Sequence, residues 1–130
     1  MAKLSYTILY VQNVTKSIEF YEAAFGFKRK FIAPGNSYGE LDTGNTTLSL
    51  ASIELAKSNL KHGFIESSIK NKPFAIEIGI TTDDVEQLYQ HAIKSGAVAE
   101  MPAKNKPQGQ IVAYVRDPDG FLIEICTPMD

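Results

Sequence analysis

Asp117-Pro118-Asp119-Gly120-Phe121-Leu122-Ile123-Glu124-Ile125 has a near copy earlier in the chain, Asp42-Thr43-Gly44-Asn45-Thr46-Thr47-Leu48-Ser49-Leu50. In each copy an Asp opens a tight turn, a Gly falls where a positive φ is expected, and an alternating strand follows. Leu48 and Leu50 match Ile123 and Ile125, but Ser49 stands where the second copy has Glu124. The chain is therefore an internal repeat whose halves agree in their apolar residues and differ in a polar one.

The repeat extends upstream of both copies. Leu4 to Val11 alternates as a strand and leads into Val14, Ile18, Tyr21 and Phe25 at helical spacing, with Gly26 as the stop. The second half follows the same plan. A strand over Phe74 to Ile80 precedes Asp83 and Glu86 at capping-box spacing, and then the helical set Val85, Leu88, Ala92 and Ile93 ends at Gly96. Three short strands complete each half: Phe27 to Ala33, Tyr38 to Asp42 and Asn45 to Ala51, then Val98 to Met101, Gln110 to Arg116 and Phe121 to Thr127. The predicted class is α+β, two βαβββ modules in one domain spanning 1–130. Module 1 covers about 1–52, a linker about 53–72, and module 2 about 73–130.

At this point the chain resembles the vicinal oxygen chelate superfamily of glyoxalase I, bleomycin-resistance proteins, fosfomycin-resistance enzymes and extradiol dioxygenases. The resemblance rests on three stretches in order: Tyr6-Thr7-Ile8-Leu9-Tyr10-Val11, then Ser17-Ile18-Glu19-Phe20-Tyr21 ahead of Phe25-Gly26-Phe27, and finally Asp117-Pro118-Asp119-Gly120 with Ile123-Glu124. It implies sheets that curl into an incomplete barrel around a cavity, with the helices outside. It also implies pairing of modules within or between chains.

Composition narrows the function. With 130 residues, 44% apolar content and a net charge of −2, the chain has the makings of a real core and no basic field for nucleic acid. No run of 18 apolar residues suggests a membrane span, and Met1-Ala2-Lys3-Leu4 enters a strand without an apolar signal core ahead of it. The single Cys126 excludes an internal disulfide framework and suits a reducing cytoplasm. The linker exceeds the usual connection of about 4–6 residues, so it reads as a flap, a short helix or a plain span between modules.

Strand alternation places Tyr6, Ile8 and Tyr10 on one face and Thr7, Leu9 and Val11 on the other, which should meet the helices. Thr47, Ser49, Ala75, Glu77, Gly79, Leu122, Glu124 and Cys126 join the tyrosines' face, as do Tyr38, Glu40 and Asp42. In the metal-using members that the chain resembles, His, Gln and Glu ligands stand at the inward positions of the first and last strands of each module. Carried over, those positions are Tyr6, Ser49, Ala75 and Glu124, of which Glu124 alone is an ordinary ligand. A metal site with open positions needs about three protein ligands, so no metal and no cofactor is expected. Glu40 and Glu77, or His62 on the linker, are the remaining donors; His62 and His91 read as surface histidines. Cys126 has no activating base nearby and reads as a small buried hydrophobe.

Two functions from different classes follow. Tyr6, Tyr10 and Tyr38, with Tyr114, offer flat apolar walls, and Glu40, Glu77 and Glu124 offer negative charge, beside Ser49 and Ala75. That composition suits a metal-free protein that binds a small aromatic or cationic organic molecule, sequestering an antibiotic or a similar compound, as a homodimer. The other reading is a lyase, isomerase or dioxygenase of the same superfamily in which Glu124 is the acid, base or metal ligand.

Overall fold

The computed structural model describes residues 1–129; Asp130, which closes the sequence-predicted second module, lies outside the described residues. The order of elements is β1 (Tyr6–Val11), α1 (Val14–Phe25), β2 (Lys28–Ile32), β3 (Tyr38–Asp42), β4 (Thr47–Ser52), α2 (Ile53–Asn59), β5 (Glu77–Thr81), α3 (Val85–Lys94), β6 (Val98–Asn105), β7 (Ile111–Arg116) and β8 (Leu122–Cys126). They form two open four-stranded sheets, β1-β4-β3-β2 and β5-β8-β7-β6. The fold is α+β, built from two βαβββ modules. Contacts divide it into two compact units, Met1–Glu22 with Gly26–Glu66, and Ala23–Phe25 with the described residues from Ser67 onward.

In the first module β1 runs parallel to β4, which pairs antiparallel with β3. Leu9, Val11, Leu41, Leu48 and Leu50 fall on one face and are buried with Val14 and Ile18 of α1. Gly39 belongs to that face: a Cβ there would run into the Ile18 side chain and lie 3.3 Å from Val14 Cγ1. The helix can therefore lie close on the sheet only because β3 carries a glycine at this point. Asn13 caps α1, its side chain accepting from Lys16 N, and Gly26 ends it at φ 72 in the left-handed region. Asn36, also left-handed at φ 57, accepts from Thr15 N and Thr15 Oγ1, so the turn after β2 is tied to the first turn of α1.

The second module repeats the plan. β5 runs parallel to β8, β7 lies antiparallel beside it, and Ile123, Ile125, Ala113 and Val115 are buried on the face away from Glu124. Asp117 organises the repeated turn. Its Oδ1 accepts from Asp119 N and Phe121 N, its carbonyl accepts from Gly120 N, and Gly120 takes φ 97. A Cβ on Gly120 would stand 2.6 Å from the Ser68 carbonyl carbon, so glycine is required twice, by the backbone angle and by the close approach.

Three details differ from the sequence reading. β5 begins at Glu77 rather than Phe74, because Phe74 packs its ring against Phe121 instead of entering the ladder, and Ala75 and Ile76 are exposed ahead of the strand. The cap of α3 is Asp84 rather than Asp83; its side chain accepts from Gln87 N, and the extended backbone needed at a cap falls on Asp84. β6 runs on to Asn105 rather than ending at Met101. Of the readings open for the linker, the short helix is present as α2, capped by the Ser52 side chain and anchored by buried Ile53 and Ala56.

The rest of the linker is held down on both sides of its division. In unit 1, Phe64 packs edge-on against Tyr10 at 4.9 Å between ring centroids, and Glu66 pairs with Lys57 at 3.2 Å. In unit 2, buried Arg116 donates from Nε to the Gly120 carbonyl and from its terminal nitrogens to the carbonyls of Ser68 (3.0 Å) and Ile69 (3.4 Å). A planar guanidinium with several donors suits this use, holding two stretches of backbone at once.

Candidate functional site

Each sheet buries one face in the core, and the other face carries the polar and aromatic side chains. On the open face of the first module, Tyr6 is 52% exposed and Ile8 45% exposed, and the Tyr10 side chain lies beside them under Phe64. Tyr38 Oη donates to Glu40 Oε2 at 2.8 Å and lies 3.0 Å from Ser49 Oγ. Ser49 is fully buried, and its hydroxyl is already engaged by that phenol. Burial raises the Tyr38 pKa above the ordinary phenol value, and the Glu40 carboxylate adds to the rise, so the hydroxyl stays protonated as a donor.

The open face of the second module carries different chemistry. Tyr114 and Glu124 are directly paired across β7 and β8, and Tyr114 Oη donates to Glu124 Oε1 at 2.9 Å. That bond to an anionic acceptor, with burial adding to it, pushes the Tyr114 pKa up to about 12. Glu77 lies one step along β5, two residues before Gly79, the register partner of Glu124. Its pKa is raised, by desolvation first and then by repulsion from and hydrogen bonding to Glu124. Cys126 is buried as a free thiol, and desolvation with the carboxylates nearby pushes its pKa up to about 11. It stays a thiol at neutral pH and is a poor nucleophile.

A model of the Glyoxalase/Bleomycin resistance protein/Dioxygenase superfamily matches residues 3–125. The chain belongs to this superfamily. The lactoylglutathione lyase GLX1 of Arabidopsis thaliana is 31% identical over 120 residues, 88% of this chain and 40% of the plant protein. This chain thus spans less than half the length of that relative. Protein YraH of Bacillus subtilis is 29% identical and is matched over nearly its whole length, 95% of this chain and 96% of its own. Among solved structures, a superfamily enzyme from Burkholderia phytofirmans superposes with a TM-score of 0.84 at 22% identity, covering 98% of this chain and all of that one. TioX from Micromonospora gives 0.73 at 18% identity, over 98% of this chain and all of its own. These two likenesses establish the fold.

The register of this superfamily member corrects one carried-over residue. Tyr6 pairs with Thr47 at the start of β4, and Glu77 pairs with Leu122 at the start of β8. Tyr6 also stands as far ahead of the Asn13 cap as Glu77 stands ahead of the Asp84 cap. Glu77, not Ala75, is therefore the counterpart of Tyr6, and Ala75 lies outside the ladder. The positions that hold metal ligands in metal-using relatives are then Tyr6 and Ser49 in one module, Glu77 and Glu124 in the other. Two carboxylates fit a divalent ion; a phenol and a buried hydroxyl already engaged by Tyr38 do not. Among the described residues no group of three His, Cys, Asp or Glu is arranged to hold a metal ion. His62 and His91 are both exposed, and no described helix is long and apolar enough to cross a membrane.

Proposed function

We propose that this chain is a metal-free, small-molecule-binding member of the superfamily that takes an aromatic or cationic organic compound, such as an antibiotic, as a homodimer in the cytoplasm. The observation that carries the reading is the donor set: at four register-equivalent positions only Glu77 and Glu124 are metal ligands by nature, and both stand on one module. The open faces otherwise present phenols, exposed apolar side chains such as Ile8 and Phe31, and the carboxylates Glu40, Glu77 and Glu124. Flat rings with anionic neighbours are the surfaces that bind planar cations well. The dimer reading is supported by the sheets, whose outer strands leave unpaired backbone edges within their own module.

Thermal-shift screening of planar and of cationic compounds tests this, followed by titration of Tyr6→Ala and Glu124→Gln. The expected result is a set of cationic aromatic hits weakened by both variants. Hits that bind both variants like the parent protein would contradict it.

A second reading has one observation in its favour. Glu77 and Glu124 lie on neighbouring strands of one face, and the Glu77 pKa is raised by desolvation and then by Glu124; a close carboxyl pair of this kind suits proton transfer. The plant relative's name gives the compound to assay. Turnover of lactoylglutathione that is abolished by Glu124→Gln while ligand binding persists would establish the enzyme in place of the binder.

A further inference from the structure

Gly79 sits in the middle of β5, opposite Glu124, and nothing in its own surroundings calls for a glycine. Gly39 must be glycine to let Ile18 approach, and Gly120 must be glycine for its φ of 97 and for Ser68. Gly79 has neither constraint: its φ is not in the left-handed region, and a Cβ placed there meets nothing within 4 Å. A glycine inside a strand weakens it, and one that the fold does not need often marks the place where a ligand comes close to the backbone. The register gives a direct contrast, because the counterpart of Gly79 in the first module is Ile8, which pairs with Ser49. In the first module that isoleucine supplies a side chain where, beside Glu124, Gly79 leaves only backbone.

We infer that Gly79 is the specificity-determining residue of the second module's open face: it leaves a recess floored by bare backbone and walled by Glu77, Glu124 and Tyr114, which takes the cationic end of a flat organic ligand. The inference rests on the binding function proposed above and names the part of the ligand, and the residue, that set its selectivity. The Tyr114 hydroxyl, committed to Glu124, fixes that carboxylate at the recess wall.

The test is fluorescence titration of proflavine, a planar cation, and of fluorescein, a planar dianion, against the parent protein, Gly79→Ala, Gly79→Val and Glu124→Gln. Expected are saturable binding of proflavine and none of fluorescein, a loss of about tenfold or more in Gly79→Val with a smaller loss in Gly79→Ala, and a melting temperature in both glycine variants equal to or above the parent's. The unchanged or raised melting temperature shows that the loss is not misfolding, and Gly79→Ala carries the test should valine disturb the strand. Proflavine binding that falls in Glu124→Gln but is unchanged in both glycine variants would overturn this inference and leave the binding function standing. No binding of proflavine by the parent protein would overturn both.

Discussion

The two modules share a scaffold and differ in what they set upon it. Position for position in the register, Tyr6 answers to Glu77, Ile8 to Gly79, Glu40 to Tyr114, Ser49 to Glu124 and Asp42 to Arg116. In both, a phenol donates to a carboxylate, but the carboxylate has changed strands: Glu40 stands on β3, while Glu124 stands on β8 across from Tyr114. The buried faces show no such divergence, with Leu48 and Leu50 matched by Ile123 and Ile125. Core positions are constrained by packing against a helix, and open positions only by what they touch. The first module keeps its carboxylates, Glu40 and Asp42, on β3. The second carries Glu77 and Glu124 on β5 and β8 and, at Gly79, no side chain.

The largest expected effect separates Asp42 from Arg116. Arg116→Ala removes a buried guanidinium that satisfies three backbone carbonyls, and should cost about 2–4 kcal/mol in urea unfolding. Asp42→Ala, at an exposed position whose carboxylate accepts the Gly44 amide, should cost about 0.5 kcal/mol. Equal losses would mean that the linker is not held as described.

Next come the strand glycines. Gly39→Ala forces Ile18 or the strand to shift and should destabilise by about 1–3 kcal/mol, whereas Gly79→Ala should stabilise by about 0.5 kcal/mol. Thermal unfolding reads both, and a loss in each would erase the contrast.

Removal of an aromatic wall comes third. Tyr6→Ala should weaken an aromatic ligand by about 1–3 kcal/mol by titration. Glu124→Gln should matter for cationic ligands and little for neutral ones, since it keeps shape and removes charge. An equal effect on neutral ligands would show that the charge plays no part.

The smallest effect is in pH dependence. Glu77 has a folded pKa above its unfolded one, so its protonation favours the fold: that contribution is present below the ordinary carboxyl range and is lost as pH rises through the raised value. Glu77→Gln should therefore flatten the stability profile across that acidic window and gain relative to the parent at neutral pH. Glu40→Gln provides the first-module comparison. A parent profile that climbs through the window and is unaffected by Glu77→Gln would reverse the sign.

Much of the fold was legible because alternation and helical spacing are set by burial. Leu9 and Val11 point to α1 as their parity requires, and the turns at Gly44 and Gly120 have the positive φ that their sequence implies. Strand starts were less legible. Phe74, Ala75 and Ile76 continue the apolar run of β5, and only the cross-strand partner Leu122 reveals that the ladder begins at Glu77. That misplacement concealed the second carboxylate at a ligand-equivalent position, although counting back from the helix cap in each half would have found it. Adjacent Asp83 and Asp84 both satisfy a cap by residue type, and backbone geometry chose between them. The role of Arg116 left no signal at all, since its partners Ser68 and Ile69 are distant in sequence and contribute only main-chain carbonyls.

The proposed function has this scaffold hold an organic cation without a metal. Native mass spectrometry of the protein mixed with proflavine and with equimolar Zn²⁺ or Ni²⁺ tests it most directly. The account predicts a proflavine adduct on a dimer with no metal bound; a stoichiometric metal adduct that Glu124→Gln removes would contradict it.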